Sequence, residues 1–159
     1  MSHPFTQALA ARDAEALIAT LAPDVVLYSA VTKTPFEGRD VVADTYRSVL
    51  ESFEEVRVVD EFESGDAHSF WWEGQIEGRY VAGADRFRLD AEGRVREVTI
   101  VGRPMSGVAT FVTGIGFRLA RRRRGALVAR ILRLTSLPLP PMLTLLDPVT
   151  SWVLRARRP

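Results

Sequence analysis

The sequence of 159 residues contains no cysteine and only two histidines, His3 and His68. Without cysteine the chain can form neither a disulfide bond nor a thiolate metal site, and it has no cysteine nucleophile. Two histidines are too few for a multi-histidine site, so we expect no bound metal. A glycine-rich phosphate loop is also missing, since GIGF at 114–117 lies in a predicted helix. We therefore expect no cofactor.

The first residues, MSHPFTQALAARD, lack a basic region followed by an apolar stretch. They do not resemble a secretory signal, and we expect a cytoplasmic protein. The chain is 47% hydrophobic and 26% charged, which is typical of a globular protein. Its length suits one domain with a substantial core.

The order of the predicted elements indicates an α+β fold. Two helical segments cover 4–21, a strand covers 25–32 and a further helix covers 39–53. Four strands then follow at 55–63, 67–76, 79–89 and 94–103, separated by the short turn sequences SGD, EG and DAEG. Tight turns between consecutive strands predict an antiparallel meander. Helices before strands favour a curved sheet with the helices on one face.

Charge divides the chain into an acidic body and a basic extension. Residues 1–117 hold 11 Lys/Arg and 19 Asp/Glu, a net charge of −8, whereas 118–159 hold ten arginines and one acid, a net charge of +9. The extension is amphipathic and interrupted by prolines, with a long apolar run at 134–154. Two interpretations stay open. The extension packs on its own domain or on a partner subunit, or it lies on an anionic membrane surface. Nucleic-acid binding through RRRR is disfavoured, because no aromatic residues interleave with it and the body is acidic.

Three local sequences carry a family resemblance over about residues 3–117. They are APDVVLYS after the first helices, PFEGRDVV at the start of the next helix, and GADRFRLDAEGRVREVTI across the last hairpin. In this order they resemble the SnoaL-like group of the nuclear transport factor 2-like superfamily. The resemblance implies a cone-like α+β fold with a pocket between a curved antiparallel sheet and the helices. It also implies a homodimer, and it leaves function open, because this fold hosts isomerases, cyclases, hydrolases and binding modules.

The resemblance can be compared with the ketosteroid isomerases of that superfamily residue by residue. The position of their carboxylate base is occupied by Ser29, and that of their hydrogen-bonding tyrosine by Phe5. The position of their second acid, kept protonated, is occupied by Asp85. Phe5 cannot donate a hydrogen bond, and Ser29 alone is no base. The sequence therefore disfavours steroid isomerisation by that mechanism.

Asp85 is also unusual in its own strand. Alternation along 79–89 places it on one face with Val81, Phe87 and Leu89. A carboxyl group in such a row is either a functional acid in a pocket, with a raised pKa, or a structural group with a polar partner such as Arg103. Other residues on the later strands or near the strand ends are candidates for ligand contact: Tyr28, Ser29, His68, Trp72, Phe87 and Arg103.

These observations leave three functional hypotheses. The first is a protein that binds a small apolar organic molecule in a pocket with an inward acid. The second is a cofactor-independent enzyme of isomerase, hydrolase or cyclase type that uses Asp85 as a catalytic residue. The third is a membrane-peripheral protein anchored by 118–159. Loss of the base at Ser29 favours the first over the second.

Overall fold

The computed structural model describes residues 2–136, 141–143 and 145. Two short helices open the fold, α1 (Pro4–Ala11) and α2 (Ala14–Ala19). Pro4 suits the first helical position because its missing N–H would have no partner there. Asp13 caps α2, because its carboxylate accepts a hydrogen bond from the Ala16 N–H at 2.9 Å.

Six strands and a third helix complete the body, and they confirm the α+β class. The sheet is curved and not closed. These elements are β1 (Leu21–Tyr28), β2 (Phe36–Glu37), α3 (Arg39–Leu50), β3 (Glu55–Ser64), β4 (Ala67–Ile76), β5 (Arg79–Leu89) and β6 (Val95–Arg103). The strand order is β2-β1-β6-β5-β4-β3. Strands β3 to β6 form the predicted antiparallel meander, and β1 joins β6 in parallel.

The first strand begins four residues before the predicted start at 25. Leu21 pairs with Val95, and the pairing continues only from Val26 onward because the register shifts between them. Pro23 falls in this irregular part and is exposed. A proline without an N–H donor is tolerated where the ladder is interrupted.

A β-bulge in β3 turns Asp60 away from the interior. Val58 pairs with Trp72 and Asp60 pairs with Trp71, so one residue is inserted between the two pairs. The insertion moves the following side chains to the other face of the strand. Asp60 is therefore exposed, and Glu61 turns toward α1. Its carboxylate accepts a hydrogen bond from the Thr6 hydroxyl at 2.9 Å.

Aromatic residues from the helices and the sheet form the centre of the core. Phe5 of α1 meets Tyr46 of α3 edge to face, with ring centroids 5.6 Å apart. It also contacts Phe70 of β4 and Phe87 of β5. All four side chains are almost fully buried. This packing fixes the helices on one face of the sheet.

The chain continues beyond the sheet as α4 (Met105–Arg124) and α5 (Ala126–Ser136). Gly125 separates the two helices. Its φ of +88° lies in the left-handed region, which favours glycine. α4 contacts α3 and the strands β4, β5 and β6. Near its middle, the Arg118 guanidinium donates a hydrogen bond to the Ser52 hydroxyl.

The proposed division of the chain between residues 117 and 118 thus falls inside α4, and the division itself stays a prediction. Most of the apolar run at 134–154 lies outside the described residues. No described helix combines the length and the apolar character that crossing a membrane requires.

Candidate functional site

A cavity of about 170 Å³ lies between the sheet, α3 and α4. Most of the residues that line it are aliphatic or aromatic. The exceptions are three hydroxyl residues and two glycines. The lining consists of Leu27, Ser29, Ala30, Val31, Thr32, Phe36, Thr45, Val49, Trp72, Val81, Ile100, Gly102, Val108, Phe111, Val112, Ile115, Gly116 and Leu119.

Helix α4 supplies one wall of this cavity. Its lining residues fall three or four positions apart, so they lie on one side of the helix. The start of α4 packs closely on β5. A Cβ added at Gly107 would lie only 2.4 Å from the Tyr80 carbonyl oxygen. A larger residue at this position would push the helix away from the strand. The absence of a side chain at Gly107 therefore lets α4 close over the cavity.

The opposite wall contains Trp72, whose indole lies across a glycine of the next strand. Trp72 of β4 pairs with Gly83 of β5, which pairs with Gly102 of β6. A Cβ at Gly83 would lie 2.5 Å from the indole Cζ2, closer than real atoms approach. Gly83 therefore makes room for an indole that is itself only 4% exposed.

The same placement brings the indole N–H to Asp85. Asp85 lies two residues after Gly83 on the same side of β5, and it is 3% exposed. The Trp72 Nε1–H donates a hydrogen bond to Asp85 Oδ1 at 2.7 Å. Burial raises the pKa of Asp85 to about 7, and the indole hydrogen bond opposes the rise. The acid is thus held behind Trp72, and it is not itself part of the cavity lining.

A second buried polar group lies near this carboxyl group. The Tyr46 hydroxyl is buried and has no hydrogen-bond partner among the described residues. Burial raises the pKa of Tyr46 well above its usual value, and the charge of Asp85 raises it further. Both groups therefore favour their neutral forms in this part of the interior.

Of the candidate ligand contacts, Ser29 and Trp72 line the cavity. Tyr28 is 43% exposed, because the alternation of β1 turns it away from Ser29. Arg103 is also exposed, at the end of β6. Neither side chain lines the cavity, and the structure does not pair Arg103 with Asp85.

His68 and Phe87 belong to a different part of the interior. Their rings stack 4.8 Å apart, at an angle of 8°. The ring of His3 lies 5.2 Å from that of His68 and 5.0 Å from that of Phe87. Burial lowers the pKa of His3, and so does His68. This aromatic cluster packs against α1 and does not line the cavity, so these two candidates are separate from Ser29 and Trp72.

The sequence interpretation missed the contribution of α4. The signal was present, because Val108, Phe111, Val112 and Ile115 follow helical spacing. That spacing reveals an apolar helix face but not the surface that it covers. The sequence interpretation also missed Thr45 of α3, which lines the cavity. Its hydroxyl donates a hydrogen bond to the Val41 carbonyl oxygen at 2.9 Å.

The arrangement is suited to binding an apolar molecule. Among the described lining residues none is titratable at neutral pH, so the cavity offers mainly dispersion contacts and burial. The hydroxyl groups of Ser29, Thr32 and Thr45 can add directed hydrogen bonds. Within residues 2–136, 141–143 and 145, no group of three or more histidine or acidic side chains is placed to hold a metal ion.

A curved, open sheet with helices on one face and a cavity between them defines the class of nuclear transport factor 2-like folds. The model of the SnoaL-like domain matches residues 3–98. The chain therefore belongs to the SnoaL-like family, as its motifs predicted. No curated protein matches it.

Solved structures share this fold. A steroid delta-isomerase from Pseudomonas aeruginosa is 30% identical, with a TM-score of 0.68 over 73% of this chain and 86% of that one. A conserved bacterial protein with a cystatin-like fold from Silicibacter pomeroyi is 22% identical, with a TM-score of 0.72 over 76% and 86%. A Mycobacterium tuberculosis protein, in complex with estradiol-17β-hemisuccinate, is 15% identical, with a TM-score of 0.53 over 65% and 91%.

Proposed function

We propose that this protein binds a small, largely apolar organic molecule in the cavity beneath α4. The observation that carries the proposal is the cavity of about 170 Å³ with an almost wholly apolar lining. An apolar pocket of this kind gains free energy when an apolar ligand fills it and removes apolar surface from water. The three hydroxyl residues at its border would orient a ligand that carries one or two polar groups.

The position of Asp85 favours binding over catalysis. A general acid or base must come within hydrogen-bond reach of the group that it serves. The Asp85 carboxyl accepts the indole N–H of Trp72 and lies behind that ring. Ser29 does reach the cavity, but its hydroxyl oxygen accepts a hydrogen bond from the Val31 N–H at 3.2 Å, and no described base adjoins it.

The relatives suggest a first set of probes. The Pseudomonas aeruginosa structure is that of a steroid delta-isomerase, and the Mycobacterium tuberculosis protein holds an estradiol derivative. Rigid polycyclic molecules such as estradiol are therefore sensible trial ligands for the apolar cavity. We do not propose isomerisation, because Phe5 and Ser29 occupy the positions where that chemistry needs a hydrogen-bond donor and a base.

Blocking the cavity at its border should abolish binding without unfolding the protein. Val31 lines the cavity and is 49% exposed, so a larger side chain there can extend across the opening. We expect Val31→Trp to weaken the affinity for estradiol, or for the best ligand of an apolar library, by at least about a hundredfold. Isothermal calorimetry measures this loss, and thermal unfolding should show a nearly unchanged midpoint.

Val59→Trp is the matched control, because Val59 is 40% exposed on β3 and does not line the cavity. It should bind like the unaltered protein. Equal affinity of Val31→Trp and Val59→Trp for a ligand that binds the unaltered chain would contradict the proposed site.

We also propose that the protein is a homodimer that associates through the outer face of the sheet. Trp71, Ala84 and Val101 lie side by side on this face across three strands. Val101 is 55% exposed and Tyr80 is 46% exposed. An apolar row of this kind is typical of a surface that a partner covers.

Light scattering on the full chain should give twice the mass of one chain. Val101→Glu should shift the protein to the monomer, because it places a charge in the centre of the contact. A monomer at all concentrations of the unaltered protein would exclude the dimer.

A further inference from the structure

An exposed apolar face on α5 is separate from the cavity. Leu127, Ile131 and Leu134 are 72%, 55% and 69% exposed, respectively. Their spacing of four and three residues puts them on one side of the helix. Val128, 45% exposed, extends this side. Aliphatic groups that cluster on one helix face and are exposed to this degree indicate a binding surface rather than scattered surface residues.

This apolar face lies in the most basic part of the sequence. Residues 98–146 contain eight arginines and no aspartate or glutamate. Four of the arginines form the run at 121–124, which ends one residue before Gly125 and the start of α5. Arg130, which is exposed, lies in α5 between Leu127 and Ile131. The segment therefore combines a strong positive charge with an apolar stripe, and no acid within it neutralises the charge.

We propose that α5 docks in the interface of an anionic lipid membrane. Its apolar side chains would insert below the headgroups, and the arginines would contact lipid phosphates. A helix with an aliphatic face and a cationic flank is suited to this position, because the long arginine side chains can reach outward while their neighbours are buried. Each arginine near such a surface adds attraction that salt screens.

The acidic body of a second copy would be the other occupant that matches the charge. The body carries a net charge of −8 over residues 1–117, so it attracts the arginines as well. Carboxylates supply only the electrostatic part of the match, whereas an anionic bilayer presents charge and an apolar layer at the same place. The combination of exposed aliphatic side chains on α5 with the arginines of the surrounding sequence thus favours the membrane.

Flotation of the full chain with lipid vesicles tests the proposal. The vesicles contain phosphatidylcholine alone or a mixture with phosphatidylglycerol, and salt is set at about 0.01 M or about 1 M, where the screening length is about 30 Å or about 3 Å. The protein should float with the phosphatidylglycerol vesicles at low salt and remain at the bottom in the other conditions. Leu127→Asp/Ile131→Asp should weaken this partition by about a hundredfold, because two buried aliphatic groups are lost.

Phe62→Asp is the control, since Phe62 is 67% exposed on β3 and belongs to no part of the basic segment. It should float like the unaltered protein. Far-ultraviolet circular dichroism and light scattering without lipid accompany every variant.

Three results would overturn the proposal. The first is failure of the unaltered chain to float with phosphatidylglycerol vesicles at low salt. The second is equal flotation of the double α5 variant. The third is flotation with both kinds of vesicle regardless of salt. If the unaltered chain does not float and the α5 variant instead dissociates an oligomer in solution, a second copy occupies the face.

Discussion

Asp85→Asn should make the protein more stable than the unaltered chain at about pH 8, by up to about 4 kcal/mol. The estimate follows from the pKa of Asp85, which burial raises from 3.8 to about 7, at about 1.4 kcal/mol for each pKa unit. The asparagine carbonyl can still accept the Trp72 indole N–H, so the hydrogen bond and the packing of the wall are kept. The variant therefore loses only the cost of ionising a buried carboxyl group.

The sign of the pH dependence follows from the direction of the shift. The folded state holds the Asp85 proton more tightly than the unfolded state does. The contribution of Asp85 to stability is therefore greatest below about pH 4. It falls as the pH rises from about 4 to about 7, and it is constant above that range. The advantage of Asp85→Asn over the unaltered chain should therefore grow between about pH 4 and about pH 7 and stay constant above that range.

Urea unfolding across this pH range measures the effect. Asp60→Asn is the matched control, because it makes the same substitution at an aspartate that is exposed on β3. A constant difference between Asp85→Asn and the unaltered chain at all pH values would mean that Asp85 does not titrate in the folded state near neutrality.

Gly83→Ala should destabilise the protein by about 3 kcal/mol, because an added methyl group overpacks the core. The new Cβ would lie 2.5 Å from Trp72 Cζ2 and 2.5 Å from the Val101 carbonyl oxygen. The oxygen belongs to the sheet backbone and cannot easily move, so the indole must shift. A shifted indole would lose its hydrogen bond to Asp85 and would change the wall of the cavity.

Chemical denaturation compares this variant with Gly114→Ala. Gly114 lies in α4, and a Cβ there would meet Arg118 Nη1 at 3.5 Å, an ordinary contact. Alanine is the better helix former, so this control should gain up to about 1 kcal/mol. If Gly83→Ala were as stable as the unaltered chain, the close approach of Trp72 to β5 would be contradicted.

The four later strands, β3 to β6, were predictable because short turn sequences separate them, whereas β2 lies in a segment that reads as a loop. The sequence DAEG between β5 and β6 illustrates this. Asp90 accepts hydrogen bonds from the N–H groups of Glu92 and Arg94, at 3.0 and 2.8 Å, and Gly93 has a φ of +77°. Short polar and glycine residues specify such a turn locally. Strict alternation then placed Asp85 in the interior, which is where the structure has it.

The features that shape the candidate site depend on contacts between distant parts of the chain. The bulge before Asp60 inserts Val59 without a glycine or a proline to mark it. Trp72 lies over Gly83 because of the register in which β4 pairs with β5. This register is fixed by the hairpin as a whole and cannot be read from either strand alone. The position of α4 depends on its contacts with both the sheet and α3, and α3 is distant from it in sequence.

The family resemblance predicted the fold and the presence of a pocket, but it did not predict which residues line the cavity. The family model ends at residue 98, whereas six lining residues lie in α4, from Val108 to Leu119. These residues contribute one whole wall, so a ligand in the cavity would contact a segment that the family match does not include. Ligand preferences of relatives therefore do not transfer directly to this cavity.

Methyl nuclear magnetic resonance under xenon pressure tests the central claim, the apolar cavity beneath α4, most directly. Xenon enters apolar cavities of about this size without needing a specific ligand. The chain has five isoleucines. Ile100 and Ile115 line the cavity, and Ile18 and Ile76 are buried elsewhere. We predict that xenon moves the methyl signals of Ile100 and Ile115 and leaves those of Ile18 and Ile76 in place. Unmoved signals from Ile100 and Ile115, or equal shifts for all four residues, would contradict a binding cavity at this site.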